Sequence, residues 1–229
     1  AKFYKSYSLA LYNKDKKDWD KAPVFALGEK VGKDNTIPLI TEFQFLFSDK
    51  NKRNELDEQI DRDEFSRAII EIHHQLIREF FIDSYEQTQY LCVVCKSRLV
   101  RQGDNILLRA RFQFPYCRVK SNTLKGGFRK RLLEELEELD TEDLFFLSTI
   151  NEDMDWEWQN YILPIRDAYP LIGSTDDKNL PPLMVERAYG ELDEDGQLDE
   201  YDLCDAFKIN SHQFFQERYI GDEKVEFKD

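Results

Sequence analysis

The sequence predicts an α/β domain of the α+β kind, with one main sheet and helices that flank it. Runs of strand length, rich in β-branched and aromatic residues, alternate along the chain with segments of helical periodicity. Of the 229 residues, 41% are hydrophobic and 14% are aromatic, which is enough to build a core. Only 9 glycines and 7 prolines occur, so disorder of the whole chain is excluded.

Four strands and two shorter extended runs follow from the first pattern. The predicted strands are residues 37–47, 90–95, 106–114 and 181–189, and the two extended runs lie within residues 160–172. The third strand shows the pattern best, because Leu108 and Phe112 alternate with Arg109 and Arg111. This strand therefore has one apolar face and one polar face.

Three helices are predicted from apolar residues that recur every three or four positions. In residues 63–81 the apolar stripe includes Ile69 and Ile72, and the whole segment reads as an amphipathic helix. The other two helices are predicted at residues 127–139 and 142–150. Residues 49–61 are charged and lack an apolar stripe, so this segment is predicted to be a loop.

Charge is distributed unevenly along the chain. The formal net charge is −14, from 46 acidic and 32 basic residues, so the chain as a whole is not a simple polycation for DNA. Residues 96–131, called the basic block below, contain 11 basic residues and one acid, Asp104. One interpretation is a groove that binds a polyanion such as the phosphate backbone of single-stranded DNA. The other is a basic element that packs against acidic neighbours in residues 134–143 or 193–205.

Under the first interpretation, ten side chains of the basic block are candidate nucleic-acid contacts. They are Arg98, Arg101, Arg109, Arg111, Arg118, Lys120, Lys125, Arg129, Lys130 and Arg131. Arg109, Arg111 and Gln113 share the polar face of one predicted strand. We therefore expect these three side chains to meet such a ligand together, without sequence preference.

Two motifs that resemble metal sites have simpler structural explanations. Cys92 and Cys95 form a CxxC motif inside a predicted strand, where residues i and i+3 point to opposite faces. They are predicted to be core thiols, because no second pair of zinc ligands accompanies them. His73 and His74 point about 100° apart on a helix and are predicted to be partly exposed polar residues. Motifs of P-loop enzymes and of serine hydrolases are absent from the sequence.

Residues 191–202 (ELDEDGQLDEYD) fit two interpretations. Acidic residues fall at several positions of a calcium-binding loop, but the last position is Asp202, whose side chain is short for a bidentate contact. The sequence contains no second loop of this kind. We favour an Asp-Gly turn at residues 193–196 that joins two strands of a hairpin.

Composition also bears on the compartment. No run of 18 apolar residues occurs, so neither a membrane-spanning helix nor a membrane partner is expected. The chain does not open with a charged and then apolar stretch, as signal peptides do. Four cysteines in 229 residues do not make a disulfide framework. These features predict an intracellular protein in a reducing compartment.

Three stretches have the order and spacing of motifs in a known family. They are residues 38–47 (PLITEFQFLF), residues 107–116 with the dipeptide Phe114-Pro115, and residues 160–174 (NYILPIRDAYPLIGS). Together they resemble the archaeo-eukaryotic primases, and most closely the primase domain of the primase–helicases of large nucleo-cytoplasmic DNA viruses. The resemblance implies a primase-like mixed sheet with flanking helices. It divides the chain into an N-terminal extension (1–35), a primase-like domain (36–208) and a polar C-terminal tail or linker (209–229).

The residues at the family's chemical positions differ in this chain. Glu42 and Gln44 fall where the family has two metal-binding Asp residues, and Asn160 falls at the third such position. Arg111 stands where a His that binds nucleotide phosphate is expected. Two-metal nucleotidyl transfer needs carboxylates, whereas neutral amides bind Mg²⁺ feebly. The resemblance therefore implies a degenerate site, with no confident catalytic residue and with no metal or other cofactor.

The resemblance implies a non-catalytic primase-like domain of a viral DNA replication or virion protein. Its expected partners are single-stranded DNA or another polyanion, or proteins of a replication or virion assembly, and its expected location is a viral factory or virion. One alternative is an active DNA primase domain with divergent ligands, in which Asp153 or Asp155 completes the site and Mg²⁺ or Mn²⁺ is the cofactor. The other alternative is a purely structural virion module whose old cleft is filled by side chains.

Overall fold

The computed structural model describes residues 28–30, 36–48, 64–80, 90–139, 157–164, 168–170, 172–174, 180–192 and 198–201. The strands are β1 (Gly28–Lys30), β2 (Thr36–Ser48), β3 (Cys92–Lys96), β4 (Val100–Gln102), β5 (Asn105–Lys120), β6 (Ala168–Pro170), β7 (Met184–Leu192) and β8 (Leu198–Tyr201). The helices are α1 (Glu64–Phe80) and α2 (Arg129–Glu137). Single turns occur at Ser121–Thr123, Leu124–Phe128 (π-helical) and Trp158–Asn160 (3-10).

Strand β5 is the centre of the main sheet. It pairs with β2 along its whole length, and it also pairs with β3 and with the short β4. The sheet has 6 strands in the order β2-β5-β3-β7-β8, with β4 off this path, and its described pairs are antiparallel. Strands β1 and β6 form a separate antiparallel pair. The predicted α/β fold class is confirmed, and so is the placement of residues 37–47, 90–95 and 106–114 in one sheet.

Alternating side chains of β2 and β5 place an aromatic layer against α1. The ring of Phe43 lies 5.6 Å from that of Phe65 in α1 and 5.7 Å from that of Phe112 in β5, measured between centroids. Both contacts are edge-to-face, a geometry that aromatic pairs favour. Trp158 closes the same cluster at 6.1 Å from Phe43. The apolar stripe predicted for α1 is the helix face that covers this layer, since Ile69 is fully buried.

The histidine pair of α1 is buried, so the prediction of partly exposed side chains is wrong. His73 Nδ1 donates to the carbonyl oxygen of Ile69 at 2.7 Å, and its Nε2 lies 2.8 Å from Thr41 Oγ1. His74 Nε2 donates to the carbonyl oxygen of Tyr90 at 2.9 Å. Burial lowers the pKa of each ring to about 4, so both are neutral at pH 7. Helical periodicity misses this burial because the two positions flank the stripe, and both flanks are covered by other parts of the fold.

The other face of the sheet carries a smaller apolar cluster. Val93 and Cys95 of β3 pack there with Leu183 and Val185, whereas Cys92 packs in the helix-side core. The prediction that the two thiols point to opposite faces is therefore confirmed. Both are buried free thiols, and burial raises the pKa of Cys95 to about 12.

Several element boundaries differ from the predictions. Strand β5 continues to Lys120 because its pairing with β2 resumes after a register shift between Pro38 and Leu39. Strands β7 and β8 pair in antiparallel fashion through Leu192 and Leu198. The predicted pairing of two strands around residues 191–202 is therefore confirmed, whereas an EF-hand calcium loop joins two helices. Strands β1 and β4 have 3 residues each, too few for a periodicity in the sequence to mark them.

Other predictions lie outside the described residues. They are the loop at 49–61, the helix at 142–150, the turn at 193–196, the acids Asp153 and Asp155, and the tail at 209–229. Strand β1 lies within the predicted N-terminal extension, yet it pairs with β6 of the later chain. Among the helices that are described, none has the length and apolar character needed to cross a membrane.

Candidate functional site

Polar side chains of β2 and β5 meet on the sheet face opposite α1. Phe43 of β2 faces α1, so its neighbours Glu42 and Gln44 point to the other side of the sheet. The register of the two strands sets Glu42 opposite Arg111, and Gln44 opposite Arg109. Strand pairing therefore brings together three of the four positions at which the resemblance places the family's site.

Glu42 and Arg111 form a buried ion pair. Arg111 Nε donates to Glu42 Oε1 at 2.7 Å, and Nη2 lies 2.5 Å from the same oxygen. The side chain of Glu42 is 3% exposed and that of Arg111 is 2% exposed. The guanidinium therefore supplies the counter-charge of a buried carboxylate through Oε1, and a buried charge of this kind requires such a partner.

Segments from later in the chain cover this polar face. Arg111 Nη1 donates to the carbonyl oxygen of Pro170 at 2.8 Å, and the guanidinium lies 5.6 Å from the ring centroid of Tyr169. Arg109 Nη1 donates to the carbonyl oxygen of Pro181 at 3.2 Å. Arg109, Arg111 and Gln113 share one face, as predicted, but all three are buried. Contact of this face with nucleic acid stays a prediction, and it would require residues 168–170 and 181–183 to move away.

The backbone at Asn160 lies beside β2, but the side chain of Asn160 does not point to the buried pair. Residues 161–163 run along the outer edge of β2, where Gln44 N–H donates to the Tyr161 carbonyl and Leu163 N–H donates to the Glu42 carbonyl, each at 2.8 Å. The Asn160 side chain is exposed, and its amide donates to Glu157 Oε2 at 3.4 Å. The backbone thus brings Asn160 next to Gln44, while its amide does not join the buried pair.

The residues at this site do not fit a pair of divalent ions. Glu42 is the one carboxylate among the four positions, and the Arg111 guanidinium lies on its Oε1. Gln44 and Asn160 supply neutral amides. Within the described ranges, no group of three or more His, Cys, Asp or Glu side chains is placed to hold a metal ion. The site therefore holds an internal ion pair and lacks the negative charge that two-metal chemistry uses.

The described side chains of the basic block do not form one continuous surface. Arg98 and Arg101 are exposed near the start of β5, whereas Lys120, Lys125 and Lys130 are exposed at or beyond its end. Strand β5 has 16 residues. At about 3.3 Å per residue, its ends lie roughly 50 Å apart. The exposed residues thus form two groups, and contact of either group with nucleic acid stays a prediction.

Acidic neighbours and carbonyl groups engage other residues of the basic block. Arg131 forms ion pairs with three carboxylates, those of Glu79, Glu134 and Glu135. Lys96 Nζ lies 2.8 Å from Glu186 Oε2. Arg129 donates to the carbonyl oxygens of Ile162 and Leu163, each at 3.1 Å. The side chain of Arg118 lies outside the described residues. Lys130 Nζ also lies 3.6 Å from Glu134 Oε1. The second interpretation of the block, packing against acids, therefore applies to Lys130 and Arg131, whose partners include residues of the segment 134–143.

The ion pair between Glu42 and Arg111 is the feature of the site that sequence patterns alone do not predict. The resemblance places each residue at one of the family's chemical positions, but their contact depends on the register of β2 against β5. The available signal was the opposite charge of two residues on polar faces of neighbouring strands.

Comparison with known proteins identifies the family. The family of the C962R protein N-terminal AEP domain matches residues 2–189, a range that includes all four positions of the candidate site. No curated protein and no solved structure has significant similarity to the chain. The match confirms the resemblance seen in the sequence. The chain therefore belongs to the family of the C962R protein N-terminal AEP domain, an archaeo-eukaryotic primase-type domain of large DNA virus primase–helicases.

Proposed function

We propose that this domain is a non-catalytic member of its family, part of a viral DNA replication or virion protein, and that it binds nucleic acid or a protein partner. The buried ion pair between Glu42 and Arg111 is the observation that carries the proposal. Family membership makes a viral factory or virion the expected location. Mg²⁺ and Mn²⁺ have no role at the site under this proposal.

The argument against catalysis rests on charge. Nucleotidyl transfer with two metals needs carboxylates that hold both ions and offset their charge. A divalent ion about 4 Å from a guanidinium would meet a repulsion of roughly 8 kcal/mol at an effective dielectric constant near 20. The Glu42 carboxylate could not offset this repulsion, because Arg111 already neutralises its charge. The amides of Gln44 and Asn160 carry no charge. Conversion of the site to an active one would need several coordinated changes.

A primer-synthesis assay tests the loss of catalysis. The full chain is incubated with a single-stranded DNA template, nucleotides and either Mg²⁺ or Mn²⁺, and Glu42→Gln serves as the matched control. We expect no product above that of the control with either ion. Template-dependent product that Glu42→Gln abolishes would instead support the active primase with divergent ligands.

The exposed lysines at and beyond the end of β5 are the best candidates for phosphate contacts. Lys120, Lys125 and Lys130 are exposed, and no acidic residue occurs between Asp104 and Glu134 in the sequence. Lys130 Nζ lies 3.6 Å from Glu134 Oε1, so Lys120 and Lys125 are the stronger candidates. A phosphate backbone would meet positive charge here without any movement of the segments that cover Arg109 and Arg111. Because binding of this kind releases counterions, its affinity should fall with salt at a slope of about −0.7 per neutralised phosphate of a single strand.

Charge reversal separates this binding mode from a purely structural module. We expect Lys120→Glu/Lys125→Glu to weaken single-stranded DNA binding and to lower its salt slope by about 1.4. The matched control is Arg98→Glu/Arg101→Glu, which makes the same change of charge at the other end of β5. Weak binding that neither salt nor the lysine substitutions affect would favour the structural module. An equal loss in both variants would indicate binding by overall charge.

A further inference from the structure

We infer that the Arg111 guanidinium is a built-in cation, which takes the place of a metal ion on Glu42 and holds Tyr169 and Pro170 against the sheet. The inference deepens the proposed function and rests on it in one respect, namely that catalysis no longer requires a metal at Glu42. It has a separate consequence. A fold that carries its own cation at this position gains no stability from divalent ions.

Each nitrogen of the guanidinium lies within 2.8 Å of an oxygen. Nε and Nη2 lie 2.7 and 2.5 Å from Glu42 Oε1, and Nη1 donates to the Pro170 carbonyl oxygen at 2.8 Å. The ring of Tyr169 adds a cation–π contact at 5.6 Å. One planar group thus joins β2 to β6 across β5. Lysine cannot reproduce this arrangement, since its ammonium is a point charge on a flexible stem.

The guanidinium and a divalent ion compete for the same position. Mg²⁺ binds oxygen ligands at about 2.1 Å. The nitrogen atoms of Arg111 approach Glu42 Oε1 to 2.5 and 2.7 Å, so they fill the space that such an ion would need. Both partners of the pair are buried. Removal of Arg111 therefore leaves a carboxylate in the interior without its counter-ion, which is strongly destabilising.

Truncation of Arg111 should convert this position into a cation site. The Arg111→Ala variant retains the carboxylate of Glu42 and the carbonyl of Pro170 around the space that the guanidinium vacates. Carboxylate and carbonyl oxygens are the ligands that hard divalent cations prefer. We expect free guanidinium or Mn²⁺ to enter this space and to restore part of the lost stability, because a ligand that binds only the folded state stabilises it.

Thermal unfolding of the full chain tests the inference. The wild type, Arg111→Ala and the double variant Glu42→Gln/Arg111→Ala are each measured in EDTA, in low-millimolar Mn²⁺ and in low-millimolar guanidinium chloride, with KCl as the ionic-strength control. We expect the Tm of the wild type to be the same in all conditions. In EDTA the Tm of Arg111→Ala should be lower by about 10 °C. Mn²⁺ or guanidinium should raise it again, and neither should raise the Tm of the double variant, which lacks the carboxylate charge.

Two results would overturn the inference. One is a saturable rise of the wild-type Tm with Mn²⁺ that Glu42→Gln abolishes, because a divalent ion would then bind beside Arg111. The other is an Arg111→Ala variant that folds but that neither cation stabilises. If Arg111→Ala does not fold, Arg111→Lys takes its place, and amide hydrogen exchange of Ala168 and Tyr169 is compared with that of the wild type, since Pro170 has no N–H. Faster exchange confined to these residues would support the inference that Arg111 holds Tyr169 and Pro170 against the sheet. Unchanged exchange would contradict it.

The same measurements keep this inference distinct from the proposed function. If the wild type synthesises primers and its Tm is independent of divalent ions, the proposed loss of catalysis is refuted and the built-in cation is not. A wild type that is inactive but is stabilised by Mn²⁺ through Glu42 would refute the built-in cation alone.

Discussion

Acidification should destabilise the protein through the two buried histidines of α1. His73 Nδ1 and His74 Nε2 each donate a proton to a backbone carbonyl, so each neutral ring already uses its one N–H. Burial lowers the pKa of both rings to about 4, against the backbone hydrogen bonds that raise it. A further reduction comes from neighbouring charge, that of His74 for the first ring and that of Arg78 for the second.

The direction of the effect follows from the lowered pKa. In the unfolded chain a histidine has a pKa of about 6.5. Below this pH the unfolded state therefore binds more protons than the folded state does. The stability from the two rings is fully present above pH 6.5 and is lost progressively as the pH falls from 6.5 towards 4. At pH 5 the loss is about 2 kcal/mol for each ring, since each pH unit below the unfolded pKa costs about 1.36 kcal/mol.

Urea denaturation at pH 7.5 and at pH 5 measures this loss. The relevant quantity is the difference in unfolding free energy between the two pH values, because carboxylates elsewhere in the chain also begin to titrate. His73→Gln and His74→Gln should each lose about 2 kcal/mol less than the wild type over this interval. His212 is retained in every variant and therefore serves as a common background. Equal losses in the wild type and in both variants would refute the buried neutral state of the rings.

Three further predictions concern the fold and are tested by the same denaturation assay. Gly103→Ala should lower the free energy of unfolding by about 1 kcal/mol, because Gly103 has φ +64°. An added Cβ would meet no atom within 4 Å, so this loss comes from the backbone conformation alone. Gly127→Ala, where φ is not positive, is the control and should lower the free energy of unfolding by less. Phe112→Ala should cost about 3–5 kcal/mol because the ring is fully buried, whereas Leu46→Ala, at a side chain that is 46% exposed, should cost less than about 1 kcal/mol. Ser97→Ala should cost about 1–3 kcal/mol because the hydroxyl accepts the buried backbone N–H of Arg109 at 2.9 Å, and no measurable loss would show that water or another group replaces it.

The polar face of β5 illustrates what a sequence pattern can and cannot predict. Alternation of side chains is a local property, so it predicts correctly that Arg109, Arg111 and Gln113 share a face. Exposure of that face is not local, because its cover comes from residues 168–170 and 181–183, far along the chain. An expectation of open, phosphate-binding arginines therefore depended on information that alternation does not contain.

The register of β2 against β5 and the extent of the covered surface of α1 could not be predicted from the sequence, for similar reasons. The contact between Glu42 and Arg111 exists only in one alignment of β2 against β5, and a shift by a single residue would turn one of them to the opposite face. The periodicity of α1 identifies its apolar stripe but not the width of the surface that the sheet and Tyr90 cover. His73 and His74 lie within that wider surface. Membership of the family, in contrast, could be recognised from the order and spacing of three stretches of sequence.

The two thiols of β3 give the protein a chemical reporter on each side of its sheet. Cys92 lies under α1, and Cys95 lies under the cluster that includes Leu183. Burial raises the pKa of both well above the ordinary value, so the reactive thiolate is scarce until the surrounding layer opens. Alkylation rates of two variants, with Cys92 or Cys95 as the single remaining cysteine after replacement of the other three, would therefore measure the opening of each layer separately. Labelling of Cys95 ahead of Cys92 would mean that the cover over the polar face lifts while the helix remains docked, as a protein with a concealed binding surface requires.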